Sequence, residues 1–392
     1  MRKHACMAGL AAAVILALLP GCTSYADKKR AARMRWDKVS AQARVIVARD
    51  LFEDGRYDDA ATTAQQCLLS DPELPEAHLI VGKCRYVSGQ IVQAQSALIK
   101  AVGYDENLDE AWYWLGEIAA HNRQPAQALE YYGRAVSLRP TNIDYILSLV
   151  ETYSELGRYD EALGLLEEKR TLMPGDVRLK VTTADILQRL GRTRQAISMY
   201  NQALLLDPSD TTIAESLGYC YITEQDYNQA AAMFEKVVAQ ATGDRKAACL
   251  QLLAICSMNA GQYGRAVGYY DKLSVDQRDD EHVWLRMGQA ALGAGAAGRA
   301  AACAARALAL RPGWEDAIAL QGCAQYLSND YDAAIQTFSR VIGSKKMGGF
   351  AWLMSGRCYQ QLGQHDLADR AYENASRLNP ESKLTNLLAK NR

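Results

Sequence analysis

Ten cysteines are the side chains here with most chemistry open to them. No Cys-x-x-Cys pair occurs, so neither a zinc ribbon nor a dithiol redox motif is supported. Cys249 and Cys256 stand seven apart on what the pattern below makes one helix. About 10 Å of rise separates such positions, which is too far for a disulfide. Small buried thiols are expected for most of the others. His78, His121, His282 and His365 are scattered with no metal-ligand spacing around them. No His-Glu-x-x-His, Gly-x-Ser-x-Gly or Walker A sequence is present. The run VGKC at 81–84 lacks the rest of a phosphate loop. Neither a catalytic site nor a metal or cofactor is expected.

Cys22 is a separate case, because it follows an apolar run. Arg2 and Lys3 open the chain, residues 5–19 are uncharged and mostly apolar, and Pro20-Gly21 break the run. That run is shorter than the about 20 residues a spanning helix needs, and it has the shape of a secretory signal. Leu19-Pro20-Gly21-Cys22 resembles the lipobox of bacterial lipoproteins, with Pro20 in place of the usual small or β-branched residue. The resemblance implies removal of 1–21, lipid on Cys22, and loss of Cys6. With Thr23 and not Asp next, it implies the outer membrane, facing the periplasm. An uncleaved N-terminal helix is the alternative. Residues 24–40 carry Lys28, Lys29, Arg30, Arg33, Arg35 and Lys38 against Asp27 and Asp37. They are read as a tether, either solvated or drawn to anionic headgroups.

A net charge of −1 over 392 residues leaves no nucleic-acid footprint. Apolar residues make up 49%, enough for a folded core, while Phe (4) and Pro (9) are scarce and Tyr (21) is plentiful. That balance suggests helices carrying polar-tipped aromatics.

The organising feature is a ruler of alanines. Ala60, Ala94, Ala128, Ala162, Ala196 and Ala230 follow at steps of 34; after one step of 36 come Ala266, Ala300, Ala334 and Ala368, again by 34. Twelve residues before each Ala is a mostly small residue, such as Gly82, Gly116, Gly218, Gly288, Gly322 and Gly356. Five before it, Gly recurs, as at Gly55 and Gly157; four after it come aromatics such as Tyr132, Tyr200, Phe234 and Phe338. Twelve after it is often Pro, as at Pro72, Pro140 and Pro208. Gly permits a tight turn between two helices, and Pro ends the second. The small residue is expected to face the Ala, and the aromatic to fill the gap between units.

This 34-residue pattern resembles the tetratricopeptide repeat. It implies an all-α, right-handed α-solenoid of about ten helix–turn–helix units. Six span 41–244 and four span 247–382, with 383–392 as a polar-ended cap. Arg245 and Lys246 are extra, and make a seam at 241–246 that is either a joint between two stiff halves or a register slip.

In this family the first helices line a groove, with the second, fifth, ninth and twelfth positions of each unit facing inward. Those positions hold Glu110, Tyr113, Glu117, Asp144, Glu151 and Asp185, with Arg178 opposing, then Tyr219. Further on they hold Ile255, Met258, Leu285, Leu292, Ala319 and Tyr326. The expected groove is acidic and aromatic first and apolar later, suited to a partner segment with a basic and an apolar stretch. An ordinary solvated face is the other reading of the acidic part. Glu117, Glu151 and Asp185 share the ninth position and should stack along one wall. The Lys/Asn clamp that one family branch uses on chaperone C-termini is not matched. The resemblance thus implies a non-enzymatic, lipid-anchored scaffold for envelope machinery (pilus or secretion, outer-membrane or cell-wall assembly), binding other proteins or peptide segments. A regulatory subunit for an envelope peptidase or cell-wall enzyme is the alternative.

Overall fold

The computed structural model describes residues 25–379; the expectations for 1–21, Cys22, Thr23 and 383–392 lie outside the described residues. Those residues form twenty α-helices and no strand. They divide into two compact units, one ending at Leu179 and the other starting at Lys180. The first holds α1 (Tyr25–Glu53), α2 (Tyr57–Ser70), α3 (Pro75–Val87), α4 (Ile91–Tyr104), α5 (Asp109–His121), α6 (Pro125–Leu138), α7 (Ile143–Glu155) and α8 (Tyr159–Leu172). The division falls in α9 (Val177–Arg189). The second unit continues with α10 (Thr193–Leu206), α11 (Thr211–Thr223), α12 (Tyr227–Gln240), α13 (Gly243–Asn259), α14 (Tyr263–Asp276) and α15 (Glu281–Gly293). It ends with α16 (Ala297–Leu310), α17 (Glu315–Leu327), α18 (Tyr331–Ser339), α19 (Gly348–Gln361) and α20 (His365–Leu378). This is an all-α solenoid of tetratricopeptide type, and within each unit successive helix pairs pack on one another.

Each turn inside a pair needs a left-handed residue five positions before the ruler Ala. Gly55, Gly157 and Gly363 have φ of 76°, 69° and 73° there. Where Gly is missing, Arg123, Gln225 and Asn329 take the same conformation, with φ of 56°, 60° and 60°. The stacked helices therefore impose the turn even on residues that resist it. First helices start on side-chain caps where the sequence supplies them: Asn142 accepts from the backbone N–H of Asp144 and Tyr145, and Asp210 from Thr212 and Ile213.

The ten ruler alanines are all buried, but where the small residue before one is glycine, the side chain nearest its missing Cβ is not that Ala. At Gly116, Gly218, Gly322 and Gly356 it is the aromatic four positions after the Ala. A methyl group on Gly116 would lie 2.5 Å from a Tyr132 ring carbon, and on Gly218 2.8 Å from Phe234. Gly322 meets Phe338 and Gly356 meets Tyr372 in the same way, each at 2.6 Å. The ring thus fills the space left by a missing side chain within its own pair. Unit eight lacks the aromatic, and Leu320 of the following unit comes to within 2.4 Å of the Cβ position on Gly288.

Lying over a small residue carries each tyrosine's hydroxyl toward the edge of the first helix, where the ninth position stands. Tyr132 donates to Glu117 at 2.7 Å, and Tyr200 donates to Asp185. Tyr372 reaches Gln360, at the twelfth position, at 2.9 Å. In unit seven the ninth residue is Ile255, and the buried Tyr270 hydroxyl has no partner.

Three local features add to the sequence reading. Residues 25–40 are not a linker but run unbroken into the first repeat within α1, a 29-residue helix. The stretch has no Gly or Pro and is rich in Ala, Arg, Lys and Met, all good helix formers. At the seam, α13 starts at Gly243 and takes up the extra residues as added helix. Arg245 pairs with Glu215 on α11 at 2.7 Å, binding that turn to the unit before it. Finally, α18 stops at Ser339 although its counterparts run ten residues past the ruler Ala. Gly343 follows soon after, and Ser344 turns the chain into α19 by accepting from the Lys346 and Met347 amides.

Two predictions test the close approach. Gly116→Ala should lower stability by about 1–3 kcal/mol through overpacking, despite the roughly 1 kcal/mol that Ala gains over Gly in a helix. Gly164→Ala in α8, where a methyl meets nothing within 4 Å, should instead stabilise. Equal midpoints for the two in urea would contradict the packing described.

Tyr270→Phe should leave stability unchanged or raise it, since it removes an unsatisfied buried hydroxyl. Tyr132→Phe should cost about 1 kcal/mol for its lost bond to Glu117. Equal shifts of the two variants in thermal unfolding would mean that the hydroxyls are equivalent and would contradict this reading.

Candidate functional site

In the first compact unit the first helices meet edge to edge, α1 on α3 and α3 on α5. Helix α5 meets α7 through Tyr113 and Tyr145, whose rings stack 4.8 Å apart at 24°. At the centre is Lys83, the ninth residue of unit two, almost wholly buried. Its Nζ lies 2.5 Å from Glu110, 4.3 Å from the Phe52 ring centre and 5.8 Å from that of Trp114. Trp114 is edge-on to Tyr86 at 5.3 Å and to Tyr113 at 6.0 Å. The result is a half-buried aromatic surface crossing four successive first helices. Burial, and then the Glu117 charge, push the Tyr113 hydroxyl up to about 12. It is a neutral hydrogen-bonding group at any physiological pH.

The acidic residues are not a continuous wall. Glu110 is neutralised by Lys83, and Asp144 by Arg178 at 2.9 Å. Glu117 holds the Tyr132 hydroxyl. Asp185 belongs to the other compact unit and holds Tyr200 there. Glu151 differs from both: the residue four after Ala162 is Leu166, with no hydroxyl to receive, and Glu151 is exposed. Its counterparts are structural acceptors, whereas its charge is available.

In the second unit the expected apolar stretch is mostly packing. Leu285 is 7% exposed and sits in a core cluster with Ala304, Ala307, Ala317 and Leu320. It leans on the following unit, α17, and does not face outward; Ala319 is buried as well. Met258 and Leu292 are partly buried against the neighbouring core, and Ile255 is partly buried beside them on α13. Tyr326 is partly buried, edge-on to Tyr331 at 5.5 Å. Tyr219 is the most open of the set at 41%, with its edge on Phe234.

Sequence reasoning passed over Lys83, Phe52, Trp114 and Tyr145. The signal for the first was a cation at a ninth position, 27 residues before a carboxylate at the second position of the next unit. It also passed over an open hollow of about 690 Å³ between α4 and α6, lined by Ile99, Val102, Trp112, Glu106, Glu130 and Arg134. The hollow exists because Gly103 and Gly133 place no side chain there.

All eight cysteines in the described residues are free thiols. Burial pushes Cys84, Cys220, Cys256 and Cys358 up to about 11, so they are poor nucleophiles at neutral pH. Among the described residues no three His, Cys, Asp or Glu side chains are grouped to hold a metal ion. No helix among them is long and apolar enough to cross a membrane.

Tetratricopeptide-repeat family models match 48–94 and 85–143, 119–168 and 155–218, and 213–241. The model of the cilia and flagella-associated protein 70 middle TPR-like domain matches 250–379. The chain is 24% identical over 220 residues to the BBSome complex member BBS4 of Bos taurus, covering 56% of this chain and 42% of that protein. It is 24% identical to the Superkiller complex protein 3 of Mus musculus, over 61% of this chain and 16% of that one. The chain thus spans well under half the length of these curated relatives. Among solved structures, Pseudomonas aeruginosa pilF is 21% identical, with 51% of this chain and 90% of that one covered and a TM-score of 0.41. With repeat models matching nearly all of 48–379, the chain belongs to the tetratricopeptide-repeat family, whose members bind other proteins or peptides.

Proposed function

We propose that this protein is a non-catalytic scaffold, held in a bacterial cell envelope by lipid on Cys22, that binds a basic segment of a partner protein along the face built by α3, α5 and α7. The observation that carries the binding part is the contrast between Glu151 and its counterparts. Glu110, Asp144 and Glu117 on that face are each engaged by a cation or a tyrosine hydroxyl, whereas Glu151 is exposed and takes neither. It shares the face with the half-buried rings of Tyr86, Tyr113 and Trp114. A lysine or arginine of the partner finds a carboxylate for its charge and ring faces for its stem and head. Asp144 and Arg178 stand two helical turns from Glu151 and limit how far the segment's charge is welcomed. The anchoring part rests on the Leu-Pro-Gly-Cys sequence at 19–22, and with it goes a place on the outer membrane facing the periplasm.

Glu151→Lys should abolish retention of the principal partner from detergent-solubilised membranes, and Glu151→Gln should weaken it and flatten its dependence on salt. Both should unfold at the temperature of the parent, because Glu151 supports no packing. Undiminished retention by Glu151→Lys would remove the basic-segment reading.

For the anchor, Cys22→Ser should eliminate lipid labelling and shift the protein out of the membrane fraction after a high-salt wash. Labelling that persists in the variant would rule out lipid on Cys22.

A further inference from the structure

We propose that the first half of α1 is a membrane-surface helix, laying an apolar stripe and five unpaired cations on an anionic lipid surface. Only Ala41, Val45 and Ala48 of α1 are buried, all in its second half. Lys38 bonds Asp71 at 3.2 Å and Arg44 bonds Ser70 at 3.3 Å, so the end of α2 lies beside this part of α1. Residues 25–37 therefore project past the repeat by about 20 Å. Every residue of that projection is exposed except Ala31 and Asp37, which are half-buried.

Two features make this an unusual helix to leave in water. One is the stripe of Trp36, Val39, Ala43 and Ile46 with Val47, spaced at three, seven and ten to eleven residues on the face opposite Ala41, Val45 and Ala48. Trp36 is 72% exposed and Val39 59%, and Tyr25 continues the same face at 83%. The other is charge. Lys28, Lys29, Arg30, Arg33 and Arg35 are exposed and make no ion pair among the described residues, with Asp27 and Asp37 alone to offset them. They crowd the positive end of the helix dipole, and Lys29 and Arg33 are like charges one turn apart. A projecting helix of this length is marginal in water without packing. An anionic surface removes both objections, by screening the cations and by taking up Tyr25, Trp36 and Val39 at the headgroup boundary.

Charge also selects among occupants. In a twofold pairing of this face with a second copy, the cationic half would lie against Arg44 and Arg49 as well as Asp50 and Glu53, with little net attraction. A lipid surface is complementary along the whole cationic stretch. Position agrees, since α1 begins three residues after Cys22. The inference leans on the envelope reading above for the nature of the surface, but it does not require lipid on Cys22.

The test uses the full chain carrying Cys22→Ser, so that lipidation cannot contribute, with flotation against vesicles of phosphatidylcholine alone or with phosphatidylglycerol. Expected are binding to the anionic vesicles only, loss above about 0.5 M salt, and a drop of about tenfold or more in two variants. One combines Lys28→Gln, Lys29→Gln, Arg30→Gln, Arg33→Gln and Arg35→Gln; the other combines Trp36→Ser with Val39→Ser. Neither touches the repeat core, and circular dichroism melting should match the parent. Equal flotation by both variants would assign the attachment to residues 5–19 and overturn the proposal. So would parent flotation indifferent to phosphatidylglycerol. A dimer by sedimentation that Trp36→Ser with Val39→Ser dissolves, with vesicle binding unchanged, would assign the stripe to a second copy. Failure of the Cys22 reading would show separately, as an unlipidated mass for the chain that retains Cys22.

Discussion

A missing side chain governs the architecture. Where Gly82, Gly116, Gly218, Gly322 and Gly356 stand, a leucine side chain or an aromatic ring of the following helix occupies the space a Cβ would need. Two helices can approach that closely only when one contributes no side chain at the crossing, and the ring then supplies the contact area that the pair would otherwise lack. The ruler alanines and the left-handed turns are consequences of that approach. A shorter interaxial distance tolerates only a methyl at the ruler position, and it forces an abrupt reversal between the helices, even at Arg123 and Gln225.

The same contact connects the core to the surface. A tyrosine lying over a glycine or alanine has nowhere to place its hydroxyl except at the inner edge of the first helix. The residue next along that helix must then accept a hydrogen bond or leave the hydroxyl unmet. Units three and five answer with Glu117 and Asp185, units six and nine use phenylalanine and need no acceptor, and unit seven leaves Tyr270 unmet. A carboxylate on the working face is thus ambiguous until the residue behind it is known. Glu151, backed by Leu166, becomes informative only by this subtraction.

The period of the repeats was legible because it is written in single residues with rigid requirements: Gly at positive φ, a small residue at the crossing, Pro after the helix. Those requirements act within 34 residues. What the pattern hid depends on partners in neighbouring units. Lys83 cancels Glu110 across 27 residues and Arg178 cancels Asp144 across 34, so a face that reads as evenly acidic residue by residue keeps its uncancelled charge at Glu117 and Glu151. Leu285 occupies an inward register position yet is drawn into the core by Ala317 and Leu320. The 241–246 insertion looked like a break because the register shifted, but a helix absorbs added residues at its end without losing its neighbours.

A repeat array has one more constraint that no internal unit reveals. Within each compact unit, first helices such as α3, α5 and α13 pack against the unit before and the helix they precede, whereas no repeat lies before α1 among the described residues. Its outer face cannot be judged by the rules that make the other first helices amphipathic. In a chain ending its array for water alone, that face would carry mixed charge and little else. Here it carries Trp36, Val39 and Ile46 beside cations of one sign. The departure lies in the first described helix, where a solenoid can acquire a second surface without disturbing the glycine crossings that hold the rest together.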